Sequence, residues 1–504
     1  MNTQQKLNSL GLEIPYILLP QASQNSQQKS DLAKWPVIAC DQFTQDRGYW
    51  DKVKTAAAGC PSAFNLIYPE VFLSEEESQP NLRAQRIADI HSNMSRYLED
   101  GVFAPPRRGF IYIERDTPFH KKRRGLVAAV DLEKYDWHPQ SRPLIRCTEG
   151  TVPERLPPRM DIRRGAPLEL PHVLLLIDDA GSFAAGVGSC ATGAGNFAAG
   201  VGSCAEGGAD TLLYALGEKV KNNAPVYSTP LMMESGHVTG WFIDSEEDLS
   251  FIAGKLDDLC RRSLNRYAAV NENPGAHSAK EFLFAVGDGN HSLAAAKGIW
   301  EEYKNSTKNP QMDHPLRYAL VEIENIYDPA IQFEPIHRLA INISFEKIIS
   351  LLSRLPDFSC KPMGSAKELS KIISERPENG NCFGVISNGH YALIETSACG
   401  ISTACLQPLL DEYLTKGQSN YLTRGQSITL SPCVDYIHDE DELFRLSDNG
   451  SSAENHQSAG ILLPPVQKSG FFETIARTGP LPRKSFSMGY SCEKRFYLEC
   501  RSLS

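Results

Sequence analysis

Apolar residues return at helical spacing after Pro80, at Ile87, Ile90, Met94 and Tyr97-Leu98, and Gly101 supplies a stop. This pattern predicts one amphipathic helix. Two short apolar runs follow, Phe110 to Ile113 and Leu126 to Val130, and they read as a hairpin. The basic run Lys121-Lys122-Arg123-Arg124 between them reads as a solvated turn, with a localisation signal or a phosphate patch as the alternatives. Arg142 to Pro171 is polar, proline-rich and irregular in pattern. It leads into Val173 to Ile177, an apolar run bounded as a buried strand would be, by Pro171 and Asp178-Asp179. Ser245 to Cys260 reads as a helix opened by a Ser245/Asp248 capping pair. A strand at Phe282 to Val286, an alanine-rich helix at Leu293 to Tyr303 and a strand at Tyr318 to Ile323 come next. Strands alternating with helices predict an α/β (α+β mixed) protein, with a mixed sheet and flanking helices.

The pattern weakens beyond Leu339. With 504 residues the chain is long enough for two to four domains. Its expected division is a core over 30–340, a second α/β region over 341–445, and a C-terminal segment over 459–504 that folds back on the core. Asp448 to Ser458 reads as the linker. Two segments are duplicated, Phe183–Ala191 as Phe197–Ala205 and Tyr413–Ser419 as Tyr421–Ser427. Two copies cannot make a solenoid, so both read as enlarged surface loops. The first pair also spells G-x-G-x-x-A, but no strand feeds those glycines, and composition explains the match.

Composition narrows the function. The net charge is −10, opposite to the surplus that neutralises nucleic-acid phosphates. No run approaches the length of a membrane span, and Met1 to Gln21 lacks the features of a secretion signal. The thirteen cysteines show no C-x-x-C, which fits reduced thiols and a cytoplasmic setting. Neither nucleic acid nor membrane is therefore an expected partner, and the oligomeric state stays open.

The strongest candidate for chemistry is Gly287-Asp288-Gly289-Asn290-His291-Ser292, a glycine turn between a strand and a helix. Glycines let backbone approach a ligand, and the first amides of a helix attract an anion. Two readings stay open at this point: a phosphate site, or a plain turn whose helix is capped by Asp288 or Asn290.

Ala285 to Lys297, which carries that loop, resembles the D-G-x-H segment of the DUF1015 family. Asn65 to Pro69, Arg124-Gly125-Leu126-Val127, Cys147 to Arg155, His314 to Tyr318, Glu334 to Arg338 and Pro482 to Ser485 are similar to further family segments. The loop also resembles the nucleotide-phosphate loop of the ParB/sulfiredoxin-like superfamily, which includes free-serine kinases. That resemblance implies a nucleotide-loop core and binding of ATP or ADP with Mg²⁺. It also implies transfer of phosphate to a small hydroxylated metabolite, with a carboxylate nearby as base. Carried over, Asp288 and His291 become catalytic candidates, and Gly287, Gly289, Asn290 and Ser292 phosphate-binding ones. Ser292 stands where those relatives often carry Arg, so a phosphate-binding charge must come from elsewhere. Arg146, Arg155 and Arg159 flank Glu149 in the proline-rich stretch. Glu149 is the candidate base and Arg155 and Arg159 the candidate clamps, with a surface ion-pair lattice as the alternative. A regulator that binds nucleotide or metabolite without turnover is the rival function. His237, His337, Arg338, Asp435, His438, Arg483 and Lys484 are secondary candidates.

Overall fold

The computed structural model describes residues 1–21, 31–39, 43, 46–76, 79–120, 122–181, 208–268, 281–375, 381–398, 401–421, 432–448 and 458–504. These form two compact units, Met1–Gln332 with Gly489–Ser504, and Phe333–Met488. The Gly/Ala duplication and its G-x-G-x-x-A match lie outside the described residues, as does nearly all of the expected linker.

The first unit is built on a ten-stranded mixed sheet. In spatial order it runs Tyr227–Pro230, His237–Ile243, Phe110–Asp116, Arg123–Asp131, Tyr318–Asn325, Leu174–Ile177, Phe284–Asp288, Ile145–Cys147, Tyr135–Asp136. Leu12–Glu13 adds to Arg123–Asp131 off this path. Leu174–Ile177 is parallel to Tyr318–Asn325 and antiparallel to Phe284–Asp288. Its four residues are fully buried, as a central strand covered on both faces requires. One face packs on helices Leu212–Val220, Glu246–Ala268 and Asn290–Ser306, with Leu175 and Ile177 of the sheet meeting Leu216, Leu256 and Leu293 of the helices in one core. The other carries Ile111, Val127 and Leu320 against Trp35 and Phe496. Ser245 caps its helix, accepting from the Asp248 N–H at 3.1 Å.

Three sequence readings need correction. Arg142–Pro171 is structured: Ile145–Cys147 is a strand and Leu156–Arg163 a helix. Pro157 and Pro158 sit in that helix's first turn, where no intrahelical N–H is needed. Arg123 is not in a solvated turn but in a strand, 4% exposed. The first copy of the second duplication, Tyr413–Ser419, is no loop but lies within helix Ser402–Tyr421, continuing the leucine-rich run before it.

Arg123 belongs to a buried ionic layer. Its Nε lies 2.8 Å from Glu324 Oε1, and Arg495 Nε lies 2.9 Å from Glu322 Oε2. Arg495 also holds Glu499 at 2.5 Å, whose other oxygen accepts from the Tyr227 hydroxyl. Glu322 and Glu324 alternate onto one face of their strand. Gly125 makes room for the Glu322 carboxylate, which a Cβ there would strike. Burial, opposed by Arg123 and reinforced by Glu322, raises the Glu324 carboxyl from 4.5 to about 8. A carboxyl raised on folding stabilises most below its unfolded value, and that contribution is lost as pH rises to the folded one. Urea midpoints are expected to fall between pH 5 and 8, with a shallower slope in Glu324→Gln. Equal slopes in both proteins would refute this.

The second unit holds a six-stranded antiparallel sheet in the order Ser359–Met363, His390–Thr396, Asn381–Ser387, Ser458–Leu462, His337–Ile341, Cys433–Ile437. Helices Phe345–Leu352 and Ser402–Tyr421 contribute to the core on one face, and Ala366–Ser374 and Glu440–Asp448 to that on the other. Among the described residues no helix is long and apolar enough to cross a membrane.

Candidate functional site

Phe284–Asp288 runs parallel to Ile145–Cys147, with Ala285 opposite Arg146 and Val286 opposite Cys147. Parallel neighbours deliver their carboxyl ends to one edge of the sheet, the edge where open α/β sheets bind ligands. The segments after Asp288 and after Cys147 therefore emerge side by side.

Gly289 takes φ +86° and is the N-cap of helix Asn290–Ser306. A Cβ there would lie 3.0 Å from Val173 Cγ2, so both the backbone conformation and the space ask for glycine. The helix has no side-chain cap. Asp288 Oδ1 accepts from the Gly289 N–H at 2.9 Å, one residue before the helix. Asn290 is buried and turned away, its Oδ1 accepting from Thr148 N–H at 3.1 Å and its Nδ2 donating to Thr148 Oγ1 at 3.2 Å. Neither residue caps the helix. The positive end of the helix dipole opens at this bend. Asp288, Gly289, His291 and Ser292 are half-buried, so the bend is not sealed in the core, whereas Gly287 is buried within the strand.

Two tethers bring the proline-rich segment to this loop. Thr148, held to Asn290, also donates to the Val286 carbonyl at 2.5 Å. Val152 N–H donates to His291 Nε2 at 3.2 Å. A neutral imidazole accepting through Nε2 carries its proton on Nδ1. Glu149 lies on the short span between the tethers and is half-buried. Arg155 is exposed at the start of helix Leu156–Arg163, which packs along Asn290–Ser306. Arg159 is engaged with Glu70. Arg146 lies over the Phe282 ring at 4.3 Å and donates to the Pro143 and Glu281 carbonyls.

One cation beside the loop is not marked by any motif in the sequence. Lys494 Nζ lies 3.6 Å from Asp288 Oδ2, and its side chain is 8% exposed. The pair Arg483-Lys484, singled out in the sequence, lies in the second unit. His337, Arg338, Asp435, His438, Arg483 and Lys484 belong to the second unit. His237 pairs with Ser228 near one edge of the first unit's sheet. Among the described residues no group of three or more His, Cys, Asp and Glu could hold a metal.

The sequence pattern of a family described as "Protein of unknown function (DUF1015)" matches residues 20–198 and 206–413. The chain belongs to the DUF1015 family. No functionally curated protein matches the sequence. Among solved structures, a conserved hypothetical protein from Pyrococcus furiosus is 11% identical, covering 74% of this DUF1015 chain and 90% of its own, with a TM-score of 0.29. A free serine kinase variant in complex with AMP is 10% identical over 74% of this chain and 90% of its own, at 0.34. SbnI from Staphylococcus aureus is 9% identical over 72% and 83%, at 0.26.

Proposed function

We propose that the loop Asp288–Ser292 binds nucleotide phosphates, and that the protein is a nucleotide-dependent phosphotransferase acting on a small hydroxylated metabolite. One observation carries this reading: a 17-residue helix starts without a side-chain cap at a glycine bend, beside the carboxyl end of the parallel neighbour Ile145–Cys147. The resemblance of the loop to nucleotide-phosphate loops supports it. The backbone amides of Asn290 to Ser292 and the Ser292 hydroxyl would donate to phosphate oxygens. His291 would add its Nδ1–H, and Glu149 would accept the hydroxyl proton during transfer. Arg155 is placed to meet an outer phosphate only if its exposed side chain swings toward the loop, and Arg159 only by leaving Glu70. Mg²⁺ takes one or two carboxylates and keeps water and phosphate oxygens as its other ligands. Asp288 is already paired with Lys494, so Mg²⁺ would be carried chiefly by the nucleotide's phosphate oxygens and water, and would neutralise charge on the transferred group.

Calorimetric titration of ATP and ADP tests the site. Wild type is expected to bind, and His291→Ala to bind at least about tenfold more weakly, a loss of about 1.4 kcal/mol. No binding by wild type, or equal binding by both, removes the assignment. A panel of amino acids and hydroxy acids assayed for nucleotide-dependent phosphorylation tests the chemistry separately. Binding without transfer across that panel would select the regulatory alternative.

A further inference from the structure

We propose that Lys494 is the cation that neutralises the bound phosphates, and that three buried arginines fix it in place; this rests on the nucleotide reading above. The need for such a charge follows from the loop itself. The Asp288 carboxylate stands one residue before the N-cap Gly289, where it would repel an incoming phosphate. The loop has Ser292 rather than a cation, and Arg159 is committed to Glu70. Lys494, directed at Asp288 from a different part of the chain, meets that need. An ammonium serves phosphate as a compact point charge and requires no bidentate geometry.

The anchoring of Lys494 is the second observation. Arg115 is fully buried and donates to three consecutive carbonyls, Cys492 at 2.5 Å, Glu493 at 3.0 Å and Lys494 at 2.6 Å. Arg123 donates to the Glu493 carbonyl at 2.7 Å. Thr117 donates to Glu493 Oε1 at 2.7 Å. Arg495, the next residue, is locked between Glu322 and Glu499. Buried guanidinium groups are costly, and apolar residues of similar volume commonly stabilise as well or better. Two of them holding a four-residue segment that itself contains the third make physical sense when the position of that short segment is itself what matters. Functional groups held by packed, hydrogen-bonded support keep the sub-ångström placement that binding requires.

The test compares ATP, ADP and adenosine binding by wild type, Lys494→Gln and Lys494→Arg, with thermal melting of each. Lys494→Gln is expected to weaken ATP at least tenfold while leaving adenosine within about twofold, and Lys494→Arg to recover most of the ATP affinity. Lys494→Met keeps the apolar stem and repeats the test if the glutamine amide prevents folding. Equal ATP affinity in wild type and Lys494→Gln, or equal weakening of ATP and adenosine, overturns the assignment of Lys494 alone. Failure of wild type to bind ATP overturns the nucleotide reading and this proposal with it.

Discussion

Replacing Arg495 with methionine is expected to destabilise the first unit by about 3–5 kcal/mol, because breaking a buried ion pair strands its partner's charge. Two carboxylates are stranded here, Glu322 and Glu499, both no more than 1% exposed. Tyr227 would still donate to Glu499, but a single hydroxyl cannot replace a guanidinium. Tryptophan fluorescence during urea unfolding isolates the effect, since the five tryptophans, Trp35, Trp50, Trp137, Trp241 and Trp300, all lie in the first unit. Trp35 reports most directly, for its Nε1–H donates to the Leu498 carbonyl in the same terminal segment. Combining Arg495→Met with Glu322→Gln and Glu499→Gln is expected to recover much of the loss. An unchanged midpoint in Arg495→Met would show that the layer is not an ionised network.

Gly289→Ala is expected to abolish measurable ATP binding and to cost about 1–3 kcal/mol, the usual strain of a non-glycine residue held in the left-handed region. The added methyl meets Val173 Cγ2 at 3.0 Å, so either the helix start or the strand Leu174–Ile177 must give. Both border the loop, which is why binding suffers more than stability. Adding Val173→Ala relieves the contact but not the backbone strain. The double variant should therefore regain part of the melting temperature and little of the affinity. Wild-type affinity in Gly289→Ala would mean that the bend does not aim the amides.

The elements around this loop were legible because their signals are local. A strand of five apolar residues, two glycines and an alanine-rich run decide the strand, bend and helix at 282–306 before any tertiary contact forms. The ends were displaced by a few residues, since side-chain pattern does not mark where ladder hydrogen bonds stop. Helix Leu156–Arg163 was missed because the proline-rich pattern reads as irregular, although the first turn of a helix tolerates Pro157 and Pro158. The buried ionic layer was illegible for a different reason. Arg115, Arg123, Glu322, Glu324, Arg495 and Glu499 are polar letters in a pattern that equates polar with exposed, and their pairing spans strands far apart in sequence. Lys494 was hidden by the same rule. Of the candidate site, the loop and Glu149 could be nominated from residues alone, whereas Lys494 beside Asp288 had to be seen in three dimensions.

The discontinuity of the first unit also orders events on the ribosome. Strand Tyr318–Asn325 is synthesised with Glu322 and Glu324 long before Arg495 exists, and the whole second unit is made in between. A domain folds as a unit once its segments are available, so the central sheet must wait, its acidic face hydrated or protonated, until Gly489–Ser504 has left the tunnel. Nascent chains stalled before Gly489 should stay open to protease across the first unit even when the second is already resistant.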